Sequence, residues 1–209
     1  MTTRETIDVS GLPDSELDHR SLVWWGNVLL IAIETTMFAL LIAAYFYIRP
    51  NFTAWPPPRV TGPEGLFDPV PSLRVPTINL LLLLLSLAPM IVADRACLRD
   101  DVRTVTRALI AFLLLALGCV ALRFQEFGAL HFRWDDNAYA SIVWTTVGLH
   151  LLHLIVGAVE FVMMLAWILL RGMDKKHARD VRVTAVYWYW IVGTWIVLYA
   201  VIFPGPRFF

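Results

Sequence analysis

Glu34 lies near the middle of an apolar run, LVWWGNVLLIAIETTMFALLIAAYFYI, that extends from Leu22 to Ile48 and whose only other ionisable groups are tyrosines near its end. A carboxyl at such depth in a spanning helix costs at least ~2.5 kcal/mol, so it turns towards protein or water. Two chemistries fit it: a proton-transfer carboxyl, or a neutral acid hydrogen-bonded to another helix. Asn27 precedes it by seven residues and falls on nearly the same helical face. A second polar set occurs in the stretch Gly148-Leu149-His150-Leu151-Leu152-His153, followed by Gly157 and Glu160. At about 100° per residue, His153 and Glu160 fall within roughly 20° of one another and His150 about 60° away, giving this helix a polar face.

Histidines beside a carboxylate raise the questions of haem and metal. A six-coordinate haem needs axial ligands on opposite sides of the iron, which two histidines three residues apart on one helix cannot supply together. The remaining histidines, His19, His131 and His177, fall in the N-terminal tail or in loops. A metal centre on His150, His153 and Glu160 would need a further helix to complete its shell. A hydrogen-bonded packing pair of His150 and His153 is the reading the residues favour, and the chain is expected to hold no metal or cofactor of its own. Arg123 and Glu126 are three apart at the end of another apolar run, a spacing that predicts an interfacial ion pair.

The elements that must position these residues follow from composition. Of 209 residues 58% are hydrophobic and 16% charged, too apolar for an ordinary water-soluble domain. The apolar residues form five runs, about 22–48, 76–97, 105–125, 140–170 and 183–203. Each approaches or exceeds the ~20 residues of a spanning helix, and none shows the alternation of a membrane barrel. The fold class expected is all-α: a polytopic membrane protein with five transmembrane helices in residues 22–209, preceded by a polar tail, 1–21.

Residues 1–20 hold Glu5, Asp8, Asp14, Glu16 and Asp18 against Arg4 and Arg20, unlike a cleavable signal, so the first span is expected to direct insertion. The N-terminus and the 95–107 and 171–182 connections share one side and carry 11 of the 17 Lys and Arg residues. That bias predicts a cytoplasmic N-terminus and an outside C-terminus. A net charge of zero gives no reason to expect nucleic acid. Cys97 and Cys119 form no C-x-x-C pair, so neither a disulfide nor a thiolate metal site is expected.

The first outer loop, 49–75, is rich in proline and should be extended. The second span is expected to open at Pro76 and to kink at Pro89. Most of Trp24, Trp25, Tyr45, Tyr47, Trp134, Tyr139 and Trp167 read as anchors at the membrane interfaces rather than as a cofactor box. Five spans without an internal repeat argue against transporters built from paired halves.

The succession WWGNVLLIAIETTMFALLIAAYFYIR, WPP, PTINLLLLLLS and DNAYASIVWTTVGLHLLHLIVG resembles subunit III of the haem–copper terminal oxidases, over about Trp24 to Phe203. The G-x-H-x-x-H stretch after D-N-x-Y is its most specific part, and five spans resemble the shorter bacterial form. The resemblance implies a chain without redox centres in a bacterial inner membrane. It would pack beside the catalytic subunit I, which holds haem and copper, stabilise it, support proton uptake and bind phospholipid. It identifies Glu34 with the family's membrane-embedded acid, His150 and His153 with its paired histidines, and Glu126 with the acid ending the third span. The chain departs from the family at Arg123, where Gln or Glu is common, and at Tyr189 and Val192, where the last span usually has His and Asp. An independent proton or small-solute transporter using Glu34, His150, His153 and Glu160, and an accessory subunit of a quinol oxidase or nitric oxide reductase, are the alternatives.

Overall fold

A computed structural model describes residues 21–57, 70–130 and 132–208. The tail 1–20 therefore lies outside the described residues, as does 58–69 of the proline-rich loop. Five helices follow one another: α1 (Leu22–Ile48), α2 (Arg74–Cys97), α3 (Val102–Ala129), α4 (Ala138–Arg171) and α5 (Lys175–Ile202). All five are long and apolar enough to cross a membrane. There is no strand among the described residues.

Three helix starts are fixed by a side chain that accepts from an otherwise unpaired backbone amide. Asp101 accepts from the Thr104 amide at 3.1 Å, Asn137 from Ala140 at 2.9 Å and Asp174 from His177 at 2.8 Å. The Asp174 cap starts α5 eight residues before the apolar run that predicts it. Arg182, in that added segment, donates to Asp94 of α2 at 2.9 Å. A hydropathy reading sees the apolar part of a helix and misses such a charged overhang. α2 likewise starts at Arg74, ahead of Pro76, and runs through Pro89 to Cys97.

Helices α2 to α5 form the body of the bundle, with α3 along α2, α4 against α3, and α5 against both α2 and α4. Phe112 of α3 stacks edge-on with Phe161 of α4 and Trp188 of α5, ring centroids 4.7 Å apart in both pairs. Trp188 donates from Nε1 to Ser86 Oγ of α2 at 2.9 Å, so this core ties four helices together. Gly157 lets α4 approach the Trp188 ring, because a Cβ there would meet Trp188 Cε3 at 3.2 Å.

α1 is different. It lies at the edge against α4 and α5 and buries only Phe38 and Tyr45. Leu22, Leu29, Ile33 and Leu40 face outwards, while Ile31, Met37, Leu41 and Ile42 are half-buried against the core.

The anchor assignment divides. Trp25, Tyr47, Trp134 and Trp167 are exposed, as interfacial side chains should be. Tyr45 and Tyr139 are buried instead and are not anchors. Both pack on Trp55, at 5.1 and 4.9 Å between centroids, and Trp55 donates to the Tyr45 hydroxyl at 3.1 Å. The loop following α1 thus folds its Trp inwards and gives two tyrosines a partner that spacing along the chain cannot reveal.

Candidate functional site

The polar residues at membrane depth fall into two clusters on either side of α4. On the inner side, Arg123 and Glu126 pair through Nη1 and Oε2 at 2.5 Å. Their side chains are 0% and 1% exposed, so the pair belongs to the bundle interior, which corrects the interfacial placement expected from its position near the end of a span. The interior position follows from what surrounds it. Asn79 of α2 donates from Nδ2 to Glu126 Oε1 at 2.8 Å, and the Arg123 guanidinium carbon sits 3.4 Å over the Trp195 ring of α5. Charge, amide and aromatic face replace the water that an interfacial pair would keep.

His150 completes this cluster. Its Nε2 lies 3.0 Å from the Ile191 carbonyl, and its Nδ1 lies 3.5 Å from Arg123 Nη2. A carbonyl can only accept and a guanidinium can only donate. His150 is therefore the neutral imidazole with its hydrogen on Nε2, and Nδ1 turns its lone pair to Arg123. The ring also lies 4.7 Å from that of Trp195.

On the outer side of α4, His153 faces α1. Its Nε2 is 3.1 Å from Glu34 Oε2, and its Nδ1 is 2.6 Å from the Leu149 carbonyl one turn back. The side chains are 9% exposed for His153 and 23% for Glu34, so the imidazole is enclosed and the carboxyl keeps an open edge. Phe38 of α1 packs on the His153 ring at 5.3 Å, and Trp190 of α5 at 5.6 Å. Trp190 also donates from Nε1 to Thr35 Oγ1, at 2.8 Å. Asn27 is held separately, donating to the Val183 carbonyl of α5 at 3.2 Å.

The two histidines thus share a helix and no hydrogen bond: one is turned into the body and the other onto α1. This corrects the reading of His150 and His153 as one bonded pair, and it separates His150 from the path a transporter would need through Glu34, His153 and Glu160. The spacing of three residues turns the two rings roughly 60° apart, which is enough to reach different neighbours. Glu160 is half-buried further along α4. Tyr187 of α5 lies within electrostatic reach of both Glu34 and Glu160. Among the described residues, no group of three His, Cys, Asp or Glu side chains converges as a metal site.

Three partners in these clusters escape a reading of the sequence: Asn79, Trp195 and Thr35. Asn79 carries a usable signal, a lone amide ahead of an unbroken run of leucines. Trp195 and Thr35 carry none, since tryptophan and threonine are common in spanning helices for other reasons.

The family model described as cytochrome c oxidase subunit III matches residues 16–204. A cytochrome c oxidase subunit 3 of Thermostichus vulcanus is 27% identical over 202 residues, covering 93% of this chain and 93% of that protein. The subunit 3 of Pongo pygmaeus is 28% identical over 182 residues, covering 86% of this chain and 68% of its own length. That of Triticum aestivum is 28% identical over 184 residues, covering 86% and 67%. With five spanning helices in one bundle and a family match running through all of them, the chain belongs to the cytochrome c oxidase subunit III family.

Proposed function

We propose that this chain is a non-redox accessory subunit of a respiratory haem–copper oxidase, set in a bacterial inner membrane beside the catalytic subunit I. The observation that carries the reading is the end-to-end family match, from residue 16 to residue 204. Haem and copper belong to the partner subunits in this reading, and no catalytic centre is assigned to this chain. Stabilisation of subunit I is supported by the rigid body of α2–α5, whose aromatic core and buried ion pair fix one shape to pack against. Support of proton uptake is assigned to Glu34 and His153, because they place a carboxyl and an imidazole together at membrane depth with one open edge. Phospholipid is the expected neighbour of the exposed apolar side of α1.

Removing the subunit from the purified complex tests the proton-uptake role. Steady-state oxygen consumption should fall more at alkaline than at acidic pH, where protons are scarce and a collecting group matters most. An unchanged pH–rate profile would reject that role. Faster inactivation during turnover, with the profile intact, would leave stabilisation as the contribution.

A further inference from the structure

We propose that the stripe of α4 centred on Glu160 docks a spanning helix of another oxidase subunit, and that this helix presents a hydrogen-bond donor to the Glu160 carboxyl. The inference rests on the accessory-subunit reading and adds the place and chemistry of one contact. Glu160 is half-buried, and among the described residues no group donates to it and no cation pairs with it. The carboxyls of Glu34, Asp94 and Glu126 each have a partner, in His153, Arg182 and Arg123. Donors on the surrounding helices are committed elsewhere. His153 turns Nε2 to Glu34 and Nδ1 to the Leu149 carbonyl, and Asn27 donates to the Val183 carbonyl. Arg123 is enclosed with Glu126 on the other side of α4. Tyr187 of α5 lies within electrostatic reach of Glu160 but makes no hydrogen bond to it.

A spanning carboxyl without a partner is costly, and such groups ordinarily face protein donors. Lipid does not supply one at this depth. Trp167, exposed on the same helix, follows Glu160 by seven residues, which sets the carboxyl roughly 10 Å further into the bilayer. Headgroup amines stay near the level of such an anchor, and acyl chains donate nothing. The surface around Glu160 has the shape of a helix contact. Val156, Glu160 and Met163 recur at i, i+4 and i+7, with Val159 alongside, and the three apolar side chains are 42%, 60% and 49% exposed for Val156, Met163 and Val159. That spacing makes a ridge able to seat in the groove of a second helix. α1 closes the same face of α4 two turns earlier, where Glu34 and Phe38 meet His153. The acid at the centre of the ridge selects a partner that carries an N–H or O–H side chain at the facing position and disfavours one that carries a carboxylate.

The test is photo-crosslinking in the intact complex, with a diazirine amino acid at Val159 or Met163. Illumination should join α4 to a spanning segment of another subunit. Fragmentation of the adduct should find an N–H or O–H side chain within one turn of the joined residue. Glu160→Gln keeps a carbonyl acceptor and should retain the adduct. Glu160→Leu removes the acceptor at similar volume and should lower the yield about threefold to thirtyfold, the range for one interhelical hydrogen bond in a membrane. If Glu160→Leu does not assemble, the adduct of the unaltered Glu160 chain and that of Glu160→Gln decide. Adducts with lipid alone, a joined helix without a donor, or an undiminished yield in Glu160→Leu would each overturn the docking surface. Lipid-only adducts in a chain that still co-purifies with haem-bearing subunits would reject this contact and leave the accessory role standing. A chain that purifies with no haem-bearing partner would reject the accessory role itself.

Discussion

At the scale of single residues, the buried pair is the feature with the largest energetic consequence. Removing one member of a buried ion pair leaves an uncompensated charge and costs about 3–5 kcal/mol, whereas replacing both by apolar residues of similar size is often neutral or better. Arg123→Met alone and Glu126→Leu alone should each markedly shorten the thermal half-life of the complex, and the double variant should recover most of the loss. A double variant as weak as the worse single one would show that Asn79, left without its acceptor, dominates instead. His150 is expected to depend on the same pair, since Arg123 holds its Nδ1 and Ile191 its Nε2. Glu34, His150 and His153 are recognisable in the sequence as polar groups at membrane depth, and Arg123 with Glu126 as an ion pair. Their partners are not, because a hydrogen bond such as that between Glu34 and His153 joins residues 119 positions apart.

Between helices, fit and capping decide the outcome. A Cβ at Gly157 would meet Trp188 and Ile191 at 3.2–3.3 Å, and both neighbours are fully buried and unable to yield. Gly157→Ala should destabilise the α4–α5 contact by about 1–3 kcal/mol. Gly193→Ala, where a Cβ meets nothing within 4 Å, serves as the neutral control. Thermal inactivation of the two variants side by side checks this. The start of α5 carries a pH dependence. Hydrogen bonds from the His177 amide and imidazole hold the Asp174 carboxyl below the ordinary aspartate range. A depressed carboxyl contributes its stability above the unfolded value and loses it as pH falls through the lowered folded one. The first turn of α5 should therefore fray on acidification below about pH 4, read as faster amide exchange at His177. Asp174→Ala should show the faster exchange already at neutral pH. The helix number and the cores of all five spans are legible in the apolar runs because membrane insertion selects on composition over ~20 residues. The α5 overhang is not, since its signal is one capping aspartate and an ion pair to another helix.

The whole molecule reads as a four-helix body with one peripheral helix, built to be covered rather than to work alone. Much of α1 turns apolar side chains outwards, and inside the bundle Arg123 pairs with Glu126 along α3 while Glu34 of α1 meets His153 of α4. That arrangement is consistent with the proposed accessory role beside a neighbour carrying the redox chemistry. The 11-to-6 distribution of Lys and Arg between the two ends predicts a cytoplasmic N-terminus and an outside C-terminus. A tag on the C-terminus should be reached by an impermeant reagent from outside intact cells, and a tag on the N-terminus should not. The central claim, that the chain is an accessory subunit of a haem–copper oxidase, is tested most directly by gentle solubilisation of the tagged chain from its native membrane, followed by a subunit list and an optical spectrum. Co-purification with a haem- and copper-bearing partner, oxygen consumption by the complex, and a haem-free, inactive chain on separation are the expected results. A stable, partner-free protein that moves protons or solutes by itself in proteoliposomes, and loses that flux in Glu34→Gln, would contradict it.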